Sequence, residues 1–319
     1  MEEMTTEDVL RTIPHCRELA SSLSSTCPLK HHRPTVPPFR TYFTPTPVDG
    51  FLYIHQAYPA QAVEAFPMPV LDSWLRGPGF KLVARIFNYS SYIYSSDELP
   101  KAALAAAITA IAASTPPDVP PPSCIPPPRN PPQNPSPSML VTVHSAEIQS
   151  LLLYGRVWSS EWISFEILPV TPILPPSALF TIGPFPSTDT QPPKEFLTNA
   201  WKAPQNAQLI ATALFREDEL EITADDILGH LLLSLSVHPF PLLSDQCFGF
   251  VVHTSTWLSD IDHWAALKRA LLSLDYSLPL PRDQIHLITL PYCSLCHSVD
   301  HCRAQCPFPR LPFWKGPLL

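Results

Sequence analysis

Short apolar runs alternate along the chain with stretches of helical periodicity. Phe51-Leu52-Tyr53-Ile54-His55 and Phe80 to Phe87 predict strands; between them Pro59 to Leu75 predicts a helical segment broken by Pro67 and Pro69. Gly77-Pro78-Gly79 bounds the second of these strands. Asp97 to Ala113 predicts a helix, Met139 to Val143 a strand, Ala146 to Tyr154 a helix and Trp162 to Leu168 an alternating strand.

The second half continues in the same manner. Leu179 to Ile182 predicts a strand, Pro193 to Lys202 a helix and Ala207 to Phe215 a strand, and an insertion then carries an apolar helix from Ala224 to Ser236. Phe248 to His253 predicts a third strand. Asp260 to Leu274 predicts an amphipathic helix with Ile261, Trp264, Leu267, Leu271 and Leu274 on one face, and Gln284 to Leu290 a fourth strand. This order predicts an α+β protein with one or two ferredoxin-like βαββαβ domains. The expected divisions are a tail over 1–45, a domain over 46–170 with a Pro-rich insertion at 115–138, a domain over 175–290 with an insertion at 216–245, and a C-terminal unit over 291–319.

Composition sharpens this picture. Of 319 residues 42 are Pro and only 8 are Gly, and twelve of the Pro fall between Thr115 and Ser138. That stretch predicts an extended, polyproline-like spacer able to dock onto aromatic-lined domains. With 45% apolar residues, the remainder can build a core. The net charge of −8 argues against a broad basic surface for duplex DNA, and most of it comes from the acidic run Arg216 to Asp226. The acidic start Met1-Glu2-Glu3-Met4 is unlike a secretory signal, and the apolar runs 102–113 and 227–235 are shorter than the ~20 residues of a membrane helix. An intracellular protein of cytoplasm or nucleus, not held by a membrane, is therefore expected.

The sharpest chemical signal lies near the C-terminus. Cys293, Cys296, His301 and Cys306 follow the spacing C-x2-C-x4-H-x4-C, and four of the eight Cys fall within the 14 residues 293–306. A short C-x2-C turn sets two thiolates on one side of an ion, and a downstream His and Cys close the tetrahedron. Such a segment is too small for its own core, so metal binding would supply its folding energy. One structural Zn2+ is the expected cofactor, with His297 and Cys302 as spare ligands. Packed free thiols and a disulfide are the competing readings.

These residues resemble the zinc knuckles of retroviral and retrotransposon nucleocapsid (Gag-like) proteins, with Asp300 where that family has Gly and Ser294 where it has an aromatic. The resemblance implies single-stranded nucleic-acid binding, with Arg303, Arg310, Trp314 and Lys315 as nearby basic and stacking groups. Phe248-Gly249-Phe250-Val251-Val252-His253 resembles the core of the RNA-recognition-motif signature, and Leu179-Phe180-Thr181-Ile182 its partner strand. That resemblance implies that Phe180, Phe248 and Phe250 project from an open sheet face, where bases stack; ordinary core is the competing reading. The combination with a C-terminal CCHC knuckle resembles the first open-reading-frame proteins of non-LTR retrotransposons. Gly155 to Ser160 and the ending Cys306 to Pro317 resemble transposon-related proteins of basidiomycete fungi.

Motifs for catalysis are missing: there is no G-x-S-x-G, no phosphate loop and no H-E-x-x-H. Asp260, Asp262 and His263 read as the acidic start of a helix rather than a nuclease site. The expectation is a non-enzymatic zinc protein that binds single-stranded RNA or DNA; the alternative is a protein-interaction adaptor using the Pro-rich spacer and the knuckle.

Overall fold

The computed structural model describes residues 43–58, 61–89, 98–112, 120–127, 137–170, 175–214, 224–242, 247–254, 261–274, 276 and 285–319. The first part runs α1 (Met68–Arg76), β1 (Phe80–Ile86), α2 (Glu98–Ala112), β2 (Ser123–Ile125), β3 (Ser138–Val143), α3 (Ala146–Gly155), β4 (Val157–Ser159) and β5 (Ser164–Pro169). The strands form an antiparallel sheet in the order β2-β3-β1-β5-β4. Alternation along a strand sends successive side chains to opposite faces. Leu82, Ala84 and Ile86 of β1, with Met139, Val141 and Val143 of β3, therefore meet Leu104, Ile108 and Ile111 of α2 and Ile148, Leu151 and Leu152 of α3. Val83 and Leu140 point the other way, against Leu71 and Trp74 of α1. Ser145 starts α3: its hydroxyl accepts from the N–H groups of Glu147 and Ile148 at 3.1 and 3.3 Å.

The second part runs β6 (Ala178–Phe185), α4 (Gln191–Lys202), α5 (Pro204–Leu214), α6 (Ala224–Leu233), β7 (Ser236–Pro241), β8 (Phe248–His253), α7 (Ile261–Ser273) and β9 (His286–Ile288). Its antiparallel sheet has the order β7-β8-β6-β9. Phe180, Ile182, Phe250 and Val252 pack against Trp201, Ile210, Leu231, Trp264, Leu267 and Leu271 of the helices. On the opposite face Ala178, Phe240 and Val251 receive Val299 from the C-terminal segment.

The α+β class is as expected, with two antiparallel sheets, but several elements differ. Ala207 to Phe215, expected as a strand, falls largely in α5, where Ile210 and Leu214 are buried one turn apart. The strand preceding β8 is instead β7, inside the stretch 216–245 expected as an insertion. Phe51 to His55 forms no strand; Phe51 and Ile54 turn into the cluster beneath the C-terminal cysteines. A short strand, β2, lies within the Pro-rich stretch and extends the first sheet at its edge. Pro67 and Pro69 start α1 rather than break it, as the N-cap and first-turn residues.

The tail expected over 1–45 lies outside the described residues up to position 42, and its end is packed: Phe43 and Thr44 are buried. Much of the Pro-rich stretch (113–119 and 128–136) and most of the acidic run (215–223) also lie outside the described residues, as does Asp260. No helix among the described residues is long and apolar enough to cross a membrane.

Candidate metal centre

A tight turn carries the first two cysteines. The His297 N–H donates to the Cys293 carbonyl at 2.7 Å, the Cys293 N–H to the Ser298 carbonyl at 2.9 Å, and the Cys296 N–H points at Cys293 Sγ at 3.5 Å. His297 closes the turn with φ +67°, a left-handed conformation unusual for a residue with a Cβ. Two hydrogen bonds hold it there. Its Nε2 lies 2.7 Å from the Ile86 carbonyl, which can only accept, so Nε2 carries the proton. Its Nδ1 then accepts from the Tyr292 hydroxyl at 2.6 Å. A 3-10 turn over Arg303–Gln305 brings Cys306 back to the same place.

The Sγ atoms of Cys293, Cys296 and Cys306 and one ring nitrogen of His301 all lie within 4.8 Å of one another. The sequence left two ligand positions open, and the structure assigns both. His297 has both ring nitrogens committed elsewhere, and the Cys302 thiol donates to Gln305 Oε1 at 3.3 Å. All six described cysteines are free, which sets aside a disulfide among them. Three thiols and an imidazole are the donor set of structural zinc sites. Crowded together, the thiols cannot ionise alike: hydrogen bonds from Cys296 and Cys306 drive Cys293 down, while those with Cys293 and Cys306 drive Cys296 up. A cation at the centre removes that conflict.

Asp300 is the support that the spacing did not reveal. Its Oδ1 accepts from His301 Nδ1 at 2.5 Å and from the Ser298 hydroxyl at 2.6 Å. The His301 proton is thereby fixed on Nδ1, and Nε2, 3.4 Å from Cys296 Sγ, keeps its lone pair toward the thiols. Burial by itself raises the Asp300 carboxyl, but the hydrogen bonds from His301 and Ser298 outweigh it and hold the group at about 2. The sequence signal was an acid next to the ligand His, at a position where the resembling family has Gly.

The knuckle is docked against both sheets. Leu295 and Phe308 are buried with Phe51, Ile54, Phe87 and Val157, and the Asn88 N–H donates to the Leu295 carbonyl at 2.7 Å. The Val299 N–H donates to the His55 carbonyl at 3.1 Å, and the Val299 side chain covers the second sheet beside Phe240 and Val251. Phe308 stands edge-on to Phe87 at 5.0 Å, with Trp314 at 5.5 Å. The tail is tied in as well: the Lys315 N–H donates to Thr44 Oγ1 at 2.9 Å, and a Cβ on Gly316 would run into Ser159, Ser164 and Trp314.

The expected nucleic-acid-binding residues do not converge. Phe180 and Phe250 are buried on the helix side of the second sheet among Leu228, Leu231 and Leu235, and Phe248 packs against the same cluster. This corrects the expectation that they project from an open face. That opposite face carries Phe240 and Val251 and is covered by Val299. Arg303, Arg310, Trp314 and Lys315 do surround the knuckle, but their polar groups have partners in the chain. Arg303 donates to Asn88 Oδ1 at 2.7 Å and to the Leu318 carbonyl, Arg310 to the Ala304 carbonyl, and Trp314 Nε1 to the Pro317 carbonyl.

No family model, curated protein or solved structure matches this chain. The C-terminal cluster is consistent with a CCHC knuckle able to hold one metal ion.

Proposed function

We propose that this chain is a non-enzymatic binding protein in which a structural zinc ion staples two ferredoxin-like modules together. The module reading is supported by strand order. In each sheet the first and third strands of a β-α-β-β-α-β series sit side by side, with the second and last outside them: β2-β3-β1-β5, with β4 appended, and β7-β8-β6-β9. The observation that carries the functional reading is the position of the knuckle. Leu295, Val299 and Phe308, the side chains a free knuckle would offer to a ligand, are buried against the chain's own sheets. Zinc would be held by Cys293, Cys296, His301 and Cys306 and would fix the loop in the one geometry that fills both clusters. The partner that fits this arrangement is a protein, met by the surface of the stapled body and by the Pro-rich stretch.

Single-stranded nucleic acid, as in Gag-like proteins, is the second reading. It is favoured by the exposed aromatic side chains of Phe313, Trp162 and Tyr53, the last with the Arg156 guanidinium 5.4 Å over its ring. One experiment separates the two readings: binding of the zinc-loaded protein to labelled single-stranded RNA across a salt series, beside Tyr53→Ala and Phe313→Ala variants. Salt-sensitive binding that falls in these variants establishes the nucleic-acid reading. No binding at low salt, with zinc stoichiometric, leaves the protein-partner reading.

A further inference from the structure

Three imidazoles meet where the knuckle covers the second sheet, and the zinc site uses none of them. His253 ends β8, His238 stands on the edge strand β7, and His55 arrives from the segment before α1. The His253 ring lies 4.5 Å from each of the other two, and His55 and His238 are 6.4 Å apart, centroid to centroid. Asp300 Oδ2, on the far side of the carboxylate that orients His301, is 3.8 Å from His55 Nε2.

Proton accounting identifies an unused lone pair. Ser177 Oγ is 3.0 Å from His55 Nδ1 and 3.4 Å from His253 Nδ1. A hydroxyl oxygen has two lone pairs, so it can accept from both rings. Both rings can therefore carry their proton on Nδ1 and donate to the serine, which leaves His55 Nε2 unprotonated and facing the acceptor Asp300 Oδ2 at 3.8 Å, an arrangement that a cation between them resolves. His253 Nε2 is then a bare acceptor, and it has no hydrogen-bond partner although the residue is only 3% exposed. A buried polar atom without a partner is costly, and a bound ion is one of its ordinary explanations.

We infer that His55, His238 and His253, with the Asp300 carboxylate as oxygen donor, form a second site for a borderline divalent ion such as zinc. Neutral imidazole is the ligating form, and burial keeps His253 neutral by pushing it down to about 3. His238 is exposed, so its ring can turn to close the 6.4 Å gap that separates it from His55. An ion there would tie β7, β8, the segment before α1 and the knuckle together. It would also link to the CCHC centre through Asp300, whose Oδ2 would bind the second ion while its Oδ1 orients the ligand His301.

The test uses the full chain, stripped of metal under reducing conditions and titrated with cobalt(II) or zinc(II) alone. Thiolate-to-cobalt charge-transfer absorption reports the CCHC site, and elemental analysis counts the ions. Two ions per chain are expected, the second adding no thiolate absorption. In His238→Ala, and separately in His55→Asn, the second ion should bind more weakly by about tenfold or more, with the thiolate bands unchanged. Saturation at one ion per chain overturns the inference. So does a second ion whose affinity is the same in both variants. Loss of the thiolate bands in the wild type would instead refute the CCHC centre, a separate outcome.

Discussion

Replacing Asp300 tests whether the metal centre works as its hydrogen bonds imply. Asp300→Ala removes the acceptor of two short bonds, 2.5 Å from His301 Nδ1 and 2.6 Å from Ser298 Oγ, and leaves both donors in a largely buried pocket. A hydrogen bond to a charged group contributes roughly 1.5–3 kcal/mol. Loss of a carboxylate that orients a ligand histidine costs metal affinity about 10–100-fold, which is about 1.4–2.7 kcal/mol. The two routes agree, so Asp300→Ala should weaken zinc binding at the cysteines toward a hundredfold. Asp300→Asn keeps an acceptor but loses the charge, and should fall nearer tenfold. Competition against a chromophoric chelator measures the affinity, with Cys296→Ser as the reference for loss of a direct ligand. Wild-type affinity in Asp300→Ala would refute the reasoning and leave His301 oriented by packing alone.

Three further outcomes follow from the same structure. Phe250→Ala should destabilise the fold by about 3–5 kcal/mol in chemical denaturation, because its fully buried ring touches Phe185 inside the helix-covered core; a change below about 1 kcal/mol would place it at a surface. Arg85 and Glu166 form a buried pair at 2.5 Å, so Arg85→Met alone should cost about 3–5 kcal/mol, while Arg85→Met with Glu166→Leu should recover most of it. Burial lowers the His253 pKa to about 3, so below the unfolded value near 6.5 the unfolded chain takes up a proton that the folded chain refuses. Stability should therefore fall on acidification from pH 6.5 toward 4, by up to about 1.4 kcal/mol per pH unit from this group. His253→Leu should show a correspondingly shallower slope between pH 7 and 5, with one equivalent of zinc present; identical slopes would refute the assignment.

The elements that periodicity revealed are those with strong faces. In β1, β3 and β5 alternation divides two packed faces, and in α7 Trp264, Leu267 and Leu271 recur at helical spacing and are buried together. The elements it missed are edge strands. Both β2 and β7 lie at sheet margins, where one side of the backbone needs no partner, and that is where proline is tolerated. Pro239 and Pro241 inside β7, and the prolines around Ser123–Ile125, read as spacer for that reason. Ala207 to Phe215 was the opposite error: a short apolar run fits a strand until Ile210 and Leu214 are seen to share a face.

At the candidate metal centre, the sequence alone located the cluster and its first two cysteines, with His301 and Cys306 preferred over His297 and Cys302 by spacing, because C-x2-C followed by His and Cys is a local constraint that survives without knowledge of the fold. Tertiary structure made three decisions that local spacing could not. It withdrew His297 and Cys302 by giving them partners, one of them the Ile86 carbonyl 211 residues away in sequence. It brought His55, Ser177, His238, His253 and Asp300 to one seam from five separate parts of the chain. It also turned the knuckle inward, since Leu295, Val299 and Phe308 lose water only against surfaces that distant strands assemble.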